Sequence, residues 1–367
     1  MTEGTGSGPR PEETDNSMEA AGQFAGVVAA ELGAAASLAM AVLGDRLGLF
    51  EAMAVAGPLT PSELAARSGC AERYIREWLC SQAAGGWVHF DVETERFELP
   101  ASHAAALVDE ASPTFLAGSI QLLNALYASV DRLAETFRTG EGIGWGEHHS
   151  DLHGAVGRFS RTLIAPMLPS WIDASGEPAG RLQDGGRILD LGCGHGSVLL
   201  ALAHAYPDAR LDGVDSHAAS VEVAQDNIVR AGFDHRVAAH VADAGNPPAG
   251  ADGCYDLVLL VDSLHDMGDP VAAATAARRA LAPGGAVLIV EPVSSDRQVD
   301  NFNPVGRYYY AISTAFCLPA ALSQAGGWAL GNQSGPSRVV EICRQAGLAT
   351  VVAQEPTPFN MVFTARP

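Results

Sequence analysis

The chain is poor in basic residues. Lys and Arg together number 22 against 43 acidic side chains, which leaves a formal net charge of −21. A surface of that sign repels phosphate backbones and anionic bilayers, so neither nucleic acid nor a membrane surface is the expected partner. Cysteine is also scarce. The six thiols (Cys70, Cys80, Cys193, Cys254, Cys317, Cys343) have no C-x-x-C spacing and fall mostly in apolar periodic segments. They are expected to be reduced core residues of a cytoplasmic protein rather than a disulfide framework or a zinc knuckle. No basic segment followed by a short apolar stretch opens the chain, so no secretory signal is expected. The apolar run from Phe24 to Leu43 approaches the length of a membrane span. It is built largely of Ala and Gly and carries Glu31, and is better read as a packing helix.

What is present divides the 367 residues into three parts. Residues 1–22 combine Gly, Pro, Ser and acid and are expected to form a disordered tail. Residues 23–175 are expected to make a mainly helical domain. In it, GPLTPSELAARSG places Thr60 to cap a helix, Pro61 in its first turn and Glu63 to complete a capping box, with Gly69 as the stop. A second helix follows at once, and WVHFDVETERFELP alternates like a hairpin, so the segment has a winged-helix pattern. Between Thr60 and Pro100 four arginines face seven acids. That balance disfavours DNA reading and leaves a structural or dimerising role.

Residues 176–367 carry the alternation of strands and helices expected of a mostly parallel sheet covered on both faces. Strands are expected near 187–191, 210–214, 236–241, 255–261 and 286–291, and two further strands, LATVVAQ and FNMVFTA, close the chain. The first strand runs into a glycine turn, RILDLGCGHGSVL, with Gly192, Gly194 and Gly196 ahead of a helix N-terminus and Asp190 beside it. Glycines there let a nucleotide-like ligand approach the backbone. The later strand ends add Asp215, then Asp243 with Ala244, then Asp262, Ser263, His265 and Asp266. The G-x-G-x-G spacing differs from the G-x-G-x-x-G of the dinucleotide fingerprint, which argues against a nicotinamide oxidoreductase.

The set LDLGCGHG, GVD, VADA, DLVLLVDSLHD and LAPGGAVLIVEP resembles the class I S-adenosylmethionine-dependent methyltransferases. The winged-helix segment, GEGIGWGEHH and DNFNPVGRYYYAIST are similar to an actinobacterial-type small-molecule group within that class. The resemblance implies a Rossmann-like α/β sheet of seven strands, the last antiparallel, behind the winged-helix domain. It also implies a homodimer formed through the N-terminal helices, for which the apolar first helix is suited.

The cofactor implied is S-adenosyl-L-methionine. Its methionine part would lie against Asp190, Gly192 and Gly194, its ribose at Asp215 and its adenine at Asp243 and Ala244, with Asp262 and Ser263 beneath the sulfonium. SLHDMGD is similar to the His-Asp pair of winged-helix O-methyltransferases, which makes His265 a candidate general base with Asp266 beside it. Met267 stands where that family commonly has Trp. A polar stretch holding Trp145, His148, His149 and His153 is either a surface loop or a wall of the acceptor pocket, and a long insertion at 293–336 holding Arg307 and Tyr309 is the candidate lid. The three histidines match no standard metal-ligand spacing, and no metal is expected. A cofactor-sensing winged-helix regulator is the alternative reading.

Overall fold

The computed structural model describes residues 11–176, 178–247, 250–354 and 357–367. The chain divides into two compact units, Met1–Leu123 and Asn124–Pro367.

The first unit begins with the long helix α1 (Pro11–Arg46), then α2 (Leu49–Ala56), α3 (Pro61–Ser68) and α4 (Glu72–Ala84). The wing strands β1 (His89–Asp91) and β2 (Arg96–Glu98) follow, then α5 (Ala101–Leu107) and α6 (Ala117–Thr139), within which the unit boundary falls. Of the expected tail, residues 1–10 lie outside the described residues, and residues 11–22 are helical instead of disordered. Glu19, Ala20 and Ala21 favour helix and let the periodic run that follows extend toward the N-terminus.

The expected capping box is present. The Thr60 hydroxyl accepts from the Glu63 N–H at 3.3 Å, the Glu63 carboxylate accepts from the Thr60 N–H at 2.7 Å, and Gly69 ends the helix at φ 70°. Phe50, Leu64, Trp78, Leu79 and Phe97 make the core of this unit. Much of α1 does not join that core. Within Ser17–Arg46 an 18-residue window reaches a mean hydropathy of 1.9, long and apolar enough to cross a membrane by length and composition, yet only 11% of that window is buried, with Phe24 and Leu32 exposed.

The second unit opens with α7 (Ser150–Phe159), α8 (Leu168–Ala174) and α9 (Pro178–Gln183). There follow β3 (Arg187–Leu191), α10 (Ser197–Ala205), β4 (Arg210–Asp215), α11 (Ala218–Arg230), β5 (Val237–Val241), β6 (Tyr255–Val261), α12 (Pro270–Ala280) and β7 (Leu281–Pro292). Then come α13 (Pro304–Ile312), α14 (Leu318–Leu322), α15 (Pro336–Gln345), β8 (Thr350–Gln354) and β9 (Asn360–Arg366).

The seven strands form one sheet in the order β5-β4-β3-β6-β7-β9-β8, with β9 antiparallel to both its neighbours. Alternate residues of β3 feed two cores: Ile188 packs with α10 and α11 residues on one face, and Leu189 and Leu191 with α12 and α15 residues on the other. Both faces are therefore covered, as near-continuous apolar strands require. The strand order reverses between β3 and β6, so the carboxyl ends of these two strands flank the crevice where such sheets hold ligands.

The expected division near residue 175 is not where the units part. Residues 124–175 belong to the second unit, and the polar stretch that follows carries the end of α8 and all of α9. Apolar residues in and beside it account for this: Trp171, Ile172 and Leu182 are buried with the sheet residues Ile188 and Leu211.

Candidate active site

At the end of β3 the chain turns through Gly192, Gly194 and Gly196, all with positive φ. Gly192 has no room for a side chain, since a Cβ there would stand 2.7 Å from the Ser263 Cβ, whereas the space at Gly194 is open. Below the turn sits Asp190, 1% exposed, with both carboxylate oxygens buried and without a hydrogen-bond partner. Burial, with the negative charge of Asp215 added, pushes its carboxyl up to about 7. A buried carboxylate left without donors costs several kcal/mol unless something supplies them. A ligand bearing an ammonium group against an open glycine turn fits that requirement.

Asp215 ends β4. Its carboxylate accepts from the Gly194 N–H at 2.9 Å and the His217 N–H at 2.8 Å, which fixes its orientation beside the turn. Asp243 lies beyond β5, exposed at the rim, and accepts from the Gly245 N–H at 2.8 Å; Ala244 is half-buried against the sheet core. After β6, Asp262 takes a left-handed φ of 52°, rare for a residue with a side chain and a mark of a site whose surroundings hold it in place. Burial pushes its carboxyl up to about 6, with His265 pulling the other way. Ser263 donates to the Leu191 carbonyl at 3.0 Å and ties the ends of β6 and β3 together.

His265 follows on a short turn and is 4% exposed. Its Nδ1 bonds the carboxylate of Glu291, at the end of β7, and its Nε2 lies 3.3 Å from Asp266 Oδ1. Glu291 is itself held by the Leu264 N–H at 3.1 Å. Burial alone would push the imidazole down, but Glu291 and Asp266 outweigh it and hold His265 well above the usual histidine range. Two carboxylates thus stabilise the imidazolium. Glu291 is the residue that sequence reasoning missed. Its only signal was an acid closing the apolar run of LAPGGAVLIVEP.

The Gly-rich stretch meets the insertion through its backbone. Ile143 N–H donates to the Pro319 carbonyl at 3.0 Å, and Gly142 is so close to Ser323 that a Cβ would lie 2.1 Å from its nitrogen. Trp145 stands 5.6 Å from His153 and 6.5 Å from His148, ring to ring, and His148 packs edge-on against Phe316 of the insertion at 5.3 Å. His148 is buried, its Nε2 lacks a hydrogen-bond partner, and burial pushes it down to about 4, so it is neutral. His153 bonds the Trp145 carbonyl at 3.0 Å and lies 4.7 Å from His217, ring to ring, near the Asp215 turn.

His149 does not join this group. It is exposed and caps α7, accepting from the Asp151 N–H at 3.2 Å, which withdraws it from the expected pocket. Arg307 is likewise exposed on α13, because it lies two residues from Tyr309 and so on another helix face. Tyr309 is buried, donates to the Phe359 carbonyl at 3.1 Å, and is raised by burial and by Asp262 beside it. The insertion is pinned onto the turn after β6. Gln324 accepts from the Gly268 N–H at 3.2 Å and donates to the Asp266 carbonyl at 2.7 Å.

A sheet of this order with acids at its strand ends and a glycine turn after its first strand defines the class I methyltransferase fold. Residues 182–345 match the model of the methyltransferase domain family, and residues 34–109 match the Rv2258c-like winged helix-turn-helix domain. The chain therefore combines a methyltransferase domain with a winged helix-turn-helix domain in front of it.

Among characterised relatives, the 27-O-demethylrifamycin SV methyltransferase of Amycolatopsis mediterranei (strain S699) is 30% identical over 188 residues. That match covers 50% of this chain and 64% of the enzyme. The solved mitomycin 7-O-methyltransferase MmcR superposes with a TM-score of 0.68 at 20% identity, over 95% of this chain and all of that one. An O-methyltransferase family protein from Burkholderia thailandensis gives 0.65 at 19% identity, over 90% of this chain and 94% of that one. These two likenesses show the fold.

Proposed function

We propose that the protein transfers the methyl group of S-adenosylmethionine to a hydroxyl of a small molecule. The observation that carries the reading is the open glycine turn above the unpartnered, buried carboxylate of Asp190. When bound, the cofactor supplies an electrophilic methyl on a sulfonium. Asp190 would hold the methionine ammonium with Gly192 and Gly194 giving backbone room, and Gly196 would start α10 behind them. Asp215, fixed by two amides, would accept both ribose hydroxyls. Asp243 and Ala244 would meet the adenine edge, and Asp262 and Ser263 the sulfonium region.

Methyl transfer is an in-line displacement, so holding the acceptor oxygen in line and dry supplies most of the rate. His265 would take the hydroxyl proton at Nε2 or orient the hydroxyl, with Glu291 holding Nδ1–H and so fixing which nitrogen faces the acceptor. Acting as a base requires the acceptor to displace Asp266 from Nε2 and the imidazolium to have released its Nε2 proton first. Trp145, His148, His153 and Tyr309 would wall the acceptor space. The oxygen acceptor is favoured by the names of the relatives and by the presence of this histidine–carboxylate pair. Incubating the protein with methyl-labelled cofactor and a panel of phenols and hydroxylated polyketides tests the reading; label found on a nitrogen or sulfur acceptor, or nowhere, would overturn it.

Asp215→Ala is expected to weaken cofactor binding by about 1–3 kcal/mol, the usual cost of leaving buried polar partners unmatched. Calorimetry with S-adenosylhomocysteine checks this, and an unchanged affinity would remove Asp215 from the site. The regulator alternative is not favoured. On α4, the helix that would read DNA, Arg73 pairs with Glu77 and Arg76 with Glu72, so these guanidiniums are already neutralised. The protein is proposed to act in the cytoplasm as a homodimer. The exposed apolar face of α1 is the surface a second copy would cover, and sedimentation showing a monomer at micromolar concentration would rule that out.

A further inference from the structure

The turn after β6 and the π-helical turn Ser313–Cys317 of the insertion bring together three side chains that lie far apart in the sequence. His265, Asp266 and Cys317 each offer one ligand atom, and these atoms all lie within 4.8 Å of one another. His265 and Cys317 are buried, at 4% and 5% exposure, and Asp266 Oδ1 is a buried oxygen facing His265 Nε2 at 3.3 Å.

We propose that His265 Nε2, Asp266 Oδ1 and Cys317 Sγ form a tripod for a zinc-like divalent cation. Metal–ligand bonds of about 2.0–2.3 Å in a tetrahedron place neighbouring donors roughly 3.3–3.7 Å apart. The Nε2–Oδ1 distance is already 3.3 Å, so a modest shift of the thiol completes the geometry.

A second observation supports the tripod independently. Metal-bound histidines commonly donate their other ring N–H to a carboxylate, which fixes the tautomer and strengthens the ligand. Glu291 occupies that position on Nδ1 and is steadied by the Leu264 N–H. Charges also balance. As the metal binds, the thiol proton of Cys317 and any proton on Nε2 leave to solvent. The dication then meets one thiolate, one carboxylate and one neutral imidazole. Nitrogen, oxygen and sulfur donors together suit zinc rather than magnesium or calcium, and three protein ligands leave a fourth position for water.

The consequence is regulatory, and this part alone rests on the proposed methyl transfer: a cation on Nε2 removes the lone pair that would face the acceptor. Zinc is therefore an inhibitor of the reaction rather than its cofactor.

The test uses the full chain, treated with chelator and desalted. Titration with zinc alone is expected to show one site of micromolar or tighter affinity. Cobalt(II) in its place is expected to give a near-ultraviolet thiolate-to-metal charge-transfer band. Cys317→Ala should abolish that band and weaken zinc binding at least tenfold, with cofactor affinity confirming that the variant is folded. Glu291→Gln should weaken zinc binding about 10- to 100-fold. Absence of the cobalt band from the wild-type protein, or unchanged zinc affinity in Cys317→Ala, would overturn the proposal. Because binding and spectrum are read without acceptor or turnover, a failure of the methyl-transfer reading leaves this test intact. Inhibition by equimolar zinc, reversed by chelator, is the expected result in the activity assay; full turnover with the site demonstrably loaded would overturn the inhibitory role.

Discussion

His265→Ala is expected to lower methyl transfer about 100-fold or more, with cofactor affinity kept within a few-fold. The magnitude is that of a positioned proton acceptor, worth 10² to 10⁴ in rate. Three groups converge on this side chain: Glu291 on Nδ1, Asp266 at 3.3 Å from Nε2, and the buried thiol of Cys317. Removing the imidazole also leaves Glu291 buried without its cationic partner, and breaking a buried pair in that way costs roughly 3–5 kcal/mol of stability. Rate and folding must therefore be read together. Single-turnover transfer of labelled methyl gives the chemical step, and calorimetry with S-adenosylhomocysteine reports whether the cofactor half is intact. Near-normal turnover would confine His265 to holding the two carboxylates in place. Loss of both turnover and cofactor binding would mean that it supports the architecture of the whole site.

The second large effect is expected at Asp190, and it has opposite signs for binding and for stability. Its carboxyl is raised from 3.8 to about 7 by burial first and by Asp215 second. A group whose folded value is raised contributes stability that is fully present below its unfolded pKa and is lost as pH rises through the folded value. For Asp190 that window runs from about pH 4 to about pH 7. The free protein should therefore lose stability across it, by an amount on the order of a few kcal/mol at most.

A bound ammonium reverses the preference and favours the ionised carboxylate. Cofactor binding at pH 6 should then release a proton from Asp190, detectable as a dependence of the binding enthalpy on buffer ionisation heat. Asp190→Asn should abolish that release, make the free protein less sensitive to pH between 4 and 7, and weaken cofactor affinity by about 1.5–3 kcal/mol, the range for a hydrogen bond to a charged group. An Asp190→Asn variant that binds the cofactor as tightly as the parent would place the ammonium elsewhere.

Much of the second unit was legible in the sequence because its determinants are local. The strand at 187–191 and the strand at 255–261 stand where their apolar runs end against glycine or acid, and Gly192 is glycine because Ser263 leaves no room for a Cβ. The capping box at Thr60 was equally readable, since its partners are three residues apart. Errors arose where composition stood in for packing. The expected boundary near residue 175 falls in a polar stretch containing glycine and proline, yet Leu182, with Trp171 and Ile172 just before it, anchors that stretch to the sheet. His149 is adjacent in sequence to the buried His148, and Arg307 is near Tyr309, but helix geometry leaves both exposed.

The sequence by itself determined the class of fold, the winged-helix module and the glycine turn with its acids, because periodicity, caps and strand ends are written in residues a few positions apart. Only the tertiary structure decided the chemistry around His265. Glu291 and Cys317 come from β7 and from the insertion, and nothing periodic relates them to residue 265. They meet because a parallel sheet delivers the carboxyl ends of β6 and β7 side by side, and because Gln324 and Gly268 dock the insertion onto the turn between them. That convergence turns an ordinary imidazole into one held between two carboxylates and a thiol.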